Sequence, residues 1–311
     1  MKGALGHTLE GKRLDRWMAL LSSMRPEDAP AIAALLDEEQ RVGRAFPAET
    51  TAFWQAWADL DAKGAWAYIQ TNAETRGGRG TEPLMKAWAF SDPQAAGEAF
   101  RNLGDSPLAD SALSGLMHGL AESDPGSAVT FAATLPEGRQ IDAAVHATGS
   151  VIYMLGNENA QGWFDALPAS SPIFNKEAAR VVMESLSRSD PGSVEAFAMA
   201  RLDQQWCTRP AEQNFAASMI LRNGGSPWNY VASVMEKHPR PEEPLALATW
   251  VARLNPQSAL TWADSNPDSP ATDQVLAGLA RHYQERGFQD KAAELLPRIK
   301  EPAIRQLLEQ E

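Results

Sequence analysis

Residues 92–100 read Asp-Pro-Gln-Ala-Ala-Gly-Glu-Ala-Phe, and residues 124–131 read Asp-Pro-Gly-Ser-Ala-Val-Thr-Phe. The pattern returns at 190–197 and 255–262, where a small or β-branched residue again follows by four positions and an aromatic residue by seven. Asp and Asn are favoured helix N-caps, and proline suits the first helical position but disfavours a helical residue before it. Each dipeptide therefore predicts that one helix ends there and another begins.

Weaker copies of this pattern extend it along the chain. Together the eight turn positions are 61, 92, 124, 156, 190, 226, 255 and 288, so successive ones lie 29 to 36 residues apart. A second proline follows most of them, in Leu135-Pro136, Leu167-Pro168, His238-Pro239, Asn266-Pro267 and Leu296-Pro297. Because proline stops a helix, each unit is predicted to hold a first helix of roughly 12–15 residues and a second of roughly 10–11.

A fixed period of this length is typical of helical-repeat arrays, in which each unit buries its apolar side only against its neighbours. The sequence therefore predicts an all-α, right-handed α-solenoid of about eight helix-turn-helix repeats of roughly 32 residues each. We expect one continuous domain, with N-terminal capping helices in 1–46, repeats in 47–298 and a C-terminal capping helix in 299–311. Most of the ten tryptophans are expected to pack between repeats.

An array of short helical pairs at this pitch resembles the tetratricopeptide-like and Sel1-like α-solenoids, over roughly residues 47–298. It also looks like bacterial helical-repeat proteins of an Asp-Pro type. The first helices lack the combination of Trp, Leu, Gly and Tyr that the tetratricopeptide consensus has. The resemblance implies helix packing and a tendency to bind proteins, and it carries over no active-site residue.

The composition narrows the class of partner. The chain carries 40 acidic and 28 basic residues, a formal charge of −12. A protein needs a cationic face to bind the phosphate backbone of a nucleic acid or an anionic membrane surface, so neither is expected as the main partner. No apolar stretch reaches the roughly 18 residues of a spanning helix, and the single Cys207 excludes an intrachain disulfide. The sequence leaves the compartment open: it is compatible with a cytoplasmic protein as it stands, and with a periplasmic or exported one if a leader has been trimmed from the N-terminus.

No motif for catalysis or metal binding is present. The five histidines contain no pair at i,i+4 spacing and no HExxH motif, so we predict no metal site and no cofactor. Gly104-Asp105-Ser106 is similar to the nucleophile block of GDS-type esterases, but it lies between two predicted helices and has no downstream Asp-x-x-His pair. The segment Thr75–Gly80 lacks the Lys and Ser/Thr of a phosphate loop, and we predict a lengthened connection there.

One set of residues suggests a binding surface. Positions six and two residues before each turn position lie four apart, so they share one face of the first helix. First helices usually line the concave side of a solenoid. This face is expected to be acidic toward the N-terminal side and rich in arginine toward the C-terminal side. The candidate binding residues are His118, Glu122, Glu184, Arg188, Arg253, His282 and Arg286.

The leading functional hypothesis is a non-enzymatic scaffold or adaptor that binds a protein or peptide along this face. One alternative is an enzyme, a hydrolase or lyase acting on a cell-envelope polymer, for which a deep pocket with converging Glu, His or Arg would be the sign. The other is a structural subunit of a homo-oligomer, assembled through its end caps.

Overall fold

The computed structural model describes residues 10–72, 78–169, 171–237 and 242–309. All regular secondary structure in these ranges is helical, which confirms the predicted all-α class for the described part of the chain. The chain divides into two compact units, Met1–Glu177 and Ala178–Glu311. In the four described ranges, no helix is both long and apolar enough to cross a membrane.

Seventeen α-helices account for most of the described residues. Those of the first unit are α1 (Glu10–Leu21), α2 (Ala29–Arg41), α3 (Pro47–Thr71), α4 (Gly78–Ser91), α5 (Pro93–Arg101), α6 (Ala109–Ser123), α7 (Pro125–Ala132) and α8 (Glu137–Asp165). Helix α9 (Pro172–Ser189) begins in the first unit and ends in the second. The others are α10 (Ser193–Met199), α11 (Pro210–Arg222), α12 (Pro227–Lys237), α13 (Glu242–Leu254), α14 (Pro256–Ser265), α15 (Thr272–Glu285), α16 (Gln289–Leu295) and α17 (Pro302–Glu309).

Three of the four strongest turn positions form the N-caps that their chemistry predicts. The prediction is wrong at Asp190, because Pro191 and Gly192 form a turn and α10 begins only at Ser193, with Gly192 as its N-cap. The Asp92 carboxylate accepts a hydrogen bond from the Ala95 backbone N–H at 3.1 Å, and Asn255 Oδ1 accepts one from Ser258 at 3.2 Å. Asp124 accepts backbone hydrogen bonds from Gly126 and Ser127. The Ser127 bonds, chiefly the one from its hydroxyl, hold the pKa of the Asp124 carboxyl below its usual value. Each cap satisfies backbone N–H groups that the start of a helix leaves unpaired.

The weaker turn positions also mark helix boundaries or interruptions. Helix α3 leaves helical geometry at Asp61 (φ −159°, ψ 78°), and α8 does so at Gly156 (φ 75°, ψ 169°). The positive φ at Gly156 explains a glycine there, because residues with a Cβ rarely adopt it. Ser226 directly precedes α12, and Phe288 is the N-cap of α16.

Longer and shorter helices alternate from α4 to α8 and again from α9 to α16. In the first unit α3 packs on α4, α4 on α6 and α6 on α8, while the short helices α5 and α7 each contact the long helices on either side. In the second unit α11 packs on α13 and α13 on α15, with α12 and α14 placed in the same way. The separate short helices span 7 to 11 residues, so several are shorter than predicted.

Glycines on α6 allow the closest helix contact of the first unit. A Cβ on Gly119 would lie 2.3 Å from the carbonyl oxygen of Lys86, and one on Gly115 would lie 2.2 Å from that of Glu82. Both acceptors are backbone atoms of α4, so neither can move aside as a side chain would. The predicted small residue at Ala112 is fully buried on the same helix.

The first and last described helices pack on the long helices beside them. The Trp17 indole N–H donates to the Glu49 carbonyl oxygen at 2.8 Å, and Arg13 forms an ion pair with the buried Glu49 carboxylate. At the other end Ile304 and Leu308 of α17 are buried, and α17 packs on α15. The connection predicted over Thr75–Gly80 is partly wrong, because Gly78–Gly80 already belong to α4; the rest lies outside the described residues.

Candidate functional site

Four residues at one position of the sequence pattern line a single cavity in the first unit. Gln55, Lys86, His118 and Ser150 each lie six residues before a turn position, on α3, α4, α6 and α8 respectively. The cavity has a volume of about 440 Å³. Its other lining residues are Thr51, Arg79, Glu82, Pro83, Gly149 and Tyr153. Because successive long helices pack side by side, residues about 32 apart in sequence become neighbours.

His118 lies near the centre of the charged groups in this cavity. Its Nδ1 is 3.4 Å from Glu82 Oε1, and its ring centroid is 6.0 Å from that of His146 on α8. Burial lowers the pKa of His118, and the positive charge of Lys86 adds to this, whereas Glu82 and Glu122 oppose it. The imidazole is therefore neutral at pH 7 and has a carboxylate beside one ring nitrogen.

Glu122 joins three long helices through polar contacts. Its carboxylate forms an ion pair with Lys86 of α4 and accepts a hydrogen bond of 3.4 Å from the Ser150 hydroxyl of α8. Since Lys86 neutralises Glu122, and Arg79 lies in the same cavity, this part of the surface carries both signs of charge. The acidic excess predicted for the N-terminal side is not found at this cavity.

A second, smaller cavity adjoins the first. It measures about 200 Å³, and it shares Thr51 and Arg79 with the larger one. Arg79 is exposed and makes no ion pair with any described residue. Arg79 was not predicted as a site residue, because it falls in the connection expected over Thr75–Gly80. A helix starting at Gly78 places it one turn before Glu82, on the same face.

Apolar side chains flank the polar residues. Tyr153 is 91% exposed, and Phe90 and Met154 are also largely exposed. Phe90 and Met154 lie one helical turn after Lys86 and Ser150, so they fall on either side of Glu122. Phe90 and Met154 lie two residues before a turn position, as Glu122 does, but the sequence pattern predicted no role for them or for Tyr153. We define the groove as the row of Gln55, Lys86, His118 and Ser150 together with Phe90, Tyr153 and Met154.

The remaining predicted residues lie in the second unit. Glu184 and Arg188 are exposed on α9, and Arg286 is exposed directly after α15. Arg253 of α13 forms a two-bond ion pair with Glu285 of α15, with Nε–Oε2 at 3.0 Å and Nη2–Oε1 at 2.5 Å. His282 is only 7% exposed, and burial, Arg286 and Arg253 lower its pKa.

Other chemistry considered from the sequence finds no support. No group of three or more His, Cys, Asp or Glu side chains in the described ranges is placed to hold a metal ion. Ser106 lies in the turn between α5 and α6, where its Oγ accepts a hydrogen bond from the Leu108 backbone N–H at 3.3 Å. That contact is typical of a serine in a turn. The nucleophile of the esterase block follows a strand, whereas Ser106 follows a helix and a turn.

The position of His118 has a consequence for stability. Since burial lowers its pKa in the folded protein, an unfolded chain takes up the proton first as the pH falls below about 6.5. His118 therefore makes folding less favourable as the pH falls through this range. We expect H118Q to lose less stability than wild type between pH 7 and pH 5 in urea unfolding followed by circular dichroism. Parallel curves for the two proteins would contradict this assignment.

Comparison with family models, with curated proteins and with solved structures finds no match to this chain.

Proposed function

We propose that this protein is a non-enzymatic scaffold or adaptor, built as a right-handed α-solenoid of about eight tetratricopeptide-like or Sel1-like repeats. Two observations support the repeat architecture. Each long helix from α3 to α8 packs on the next one, as does each from α11 to α15. The eight turn positions coincide with, or lie within three residues of, a helix start or interruption.

The groove of the first unit is the proposed binding surface for a protein or peptide segment. The observation that carries this proposal is that four residues from one repeat position line a single cavity, flanked by exposed aromatic and aliphatic side chains. The half-buried Gln55 amide can pair with a peptide backbone, while Phe90, Tyr153 and Met154 offer apolar contact area. Aromatic anchors surrounded by polar groups are typical of protein-binding surfaces.

Selection of peptides from a random display library against the full chain tests this proposal. We expect enriched peptides to bind F90A/Y153A at least tenfold more weakly than wild type, because both ring contacts are lost. M18A is the control variant, since Met18 is an exposed apolar residue of α1 outside the groove. A photo-crosslinking amino acid at position 153 should capture the same peptides. Enrichment of no peptide, or of peptides insensitive to F90A/Y153A, would exclude the groove.

The second candidate function is an enzyme, a hydrolase or a lyase. His118 favours it, because a neutral imidazole held by a carboxylate in a cavity is the arrangement of a general base. The test is turnover of a panel of cell-envelope polymers by wild type and H118Q, with peptide binding measured in parallel. If wild type turns over a polymer and H118Q does not, the enzyme replaces the scaffold proposal. If neither protein shows turnover and H118Q binds peptides normally, the scaffold proposal is retained.

A further inference from the structure

Each long helix of the second unit ends with an arginine. Arg188 and Arg253 lie in the last turns of α9 and α13, Arg222 is the last residue of α11, and Arg286 directly follows α15. In the first unit α4, α6 and α8 have no basic residue in their last turns. A cation at a helix C-terminus is favourable, but lysine would serve equally well there. The use of arginine four times suggests an additional reason.

The C-terminal ends of these helices lie side by side. The Ser187 hydroxyl at the end of α9 donates to Asn223 Oδ1, just after α11, at 3.0 Å. Helix α11 packs on α13, and Arg253 bonds Glu285 at the ends of α13 and α15. The four arginines therefore lie along one edge of the second unit. We define Arg188, Arg222, Arg253 and Arg286 as the arginine edge.

Most of the positive charge on this edge is not neutralised. Arg253 is paired with Glu285, but Arg188, Arg222 and Arg286 are exposed and make no ion pair within the described ranges. Burial lowers the pKa of His282, and the nearby positive charges of Arg286 and Arg253 lower it further, whereas Glu285 opposes them. The edge is thus a locally positive surface on a chain whose net charge is −12.

The chemistry of arginine and the helix spacing narrow the partner. A guanidinium group binds a carboxylate with two parallel hydrogen bonds, which an ammonium group cannot do. The acidic chain as a whole would repel a long polyphosphate, which carries many negative charges. A short acidic peptide segment carries only a few, so it is repelled less. Packed helices lie about 8–10 Å apart. An extended chain in the polyproline II conformation has three residues per turn and rises about 3.1 Å per residue, so every third side chain returns to the same face at about this spacing.

We propose that the arginine edge binds an extended acidic peptide segment of a partner protein, with carboxylates at about every third residue. This site is separate from the groove of the first unit and does not depend on it. Glu184, exposed one turn before Arg188, limits the positive surface on that side of α9. Glu285 does not oppose the ligand in the same way, because Arg253 already neutralises it.

The test uses a fluorescent peptide of the sequence Glu-Gly-Ser-Glu-Gly-Ser-Glu-Gly-Ser-Glu, titrated with the full chain at low salt and followed by anisotropy. We expect saturable binding that weakens at least tenfold in R188E/R222E/R286E. The control triple R209E/K237E/R298E changes the net charge equally and should stay within threefold of wild type. Circular dichroism spectra of the two triple variants are compared with that of wild type to check that both are folded.

Three results would overturn the proposal: no saturable binding, equal weakening in both triple variants, or equal binding of a peptide with glutamine in place of glutamate. A peptide of the same composition with its four glutamates consecutive should bind at least threefold more weakly, and equal binding would overturn the spacing. F90A/Y153A should bind the acidic peptide as wild type does. The groove and the arginine edge can therefore fail independently.

Discussion

Replacing Gly119 by alanine is expected to lower the free energy of unfolding by about 2–3 kcal/mol, since overpacking a close contact costs this much. The new Cβ would lie 2.3 Å from the Lys86 carbonyl oxygen and 2.8 Å from the Ala89 Cβ. Helices α4 and α6 would have to separate. Urea unfolding monitored by circular dichroism measures the change.

The matched control is Gly162→Ala, the same chemical change in helix α8. A Cβ there meets nothing within 4 Å, so the variant should be more stable than wild type by about 0.5–1 kcal/mol, because alanine loses less entropy in a helix. Opposite signs for the two substitutions would establish the helix contact. A G119A variant as stable as wild type, or more stable, would show that Gly119 does not pack closely on α4.

The same contact positions the groove. Gly119 lies one residue after His118 and three before Glu122, whose partners Glu82 and Lys86 are on α4. Separating the two helices should therefore lengthen both pairs. G119A is expected to weaken groove peptides more than G162A does, even under conditions where both variants are fully folded. That comparison distinguishes a displaced groove from a loss of folded protein.

Replacing Trp228 by alanine is expected to cost about 3–5 kcal/mol, the range for removing a fully buried aromatic side chain. Trp228 is 1% exposed, and its indole N–H donates to the Ser258 hydroxyl of α14 at 2.8 Å. The variant would leave a large cavity between α12 and its neighbours in the second unit. Thermal and urea unfolding give the size of the loss.

Trp262 provides the control for this substitution. It also donates an indole hydrogen bond, to Asn229 Oδ1 at 3.0 Å, but its side chain is half-buried. W262A should therefore lower the free energy of unfolding by less than half as much as W228A. Equal losses would mean that the hydrogen bond, and not burial of the ring, dominates the contribution of both residues.

Part of the candidate site could be predicted from the row of residues six before each turn position. The sequence pattern placed Gln55, Lys86, His118 and Ser150 at equivalent positions, and the structure brings these four to one cavity. It did not include Tyr153, which lies off that row, or Arg79, whose helix begins earlier than predicted. Arg222 was also missed, because it lies four residues before its turn position and no predicted row contains it.

The sequence by itself determined the helical class and where most helices begin, because N-caps and proline act within a few residues of their own position. The tertiary structure decided which charges are neutralised: Lys86 pairs with Glu122, 36 residues away in sequence, and Arg253 pairs with Glu285, 32 residues away. It also decided that Gly119 packs against the backbone of α4, and does not merely lower the helix propensity of α6. Such properties depend on how closely neighbouring helices approach, and the local chemistry of one helix does not specify that distance.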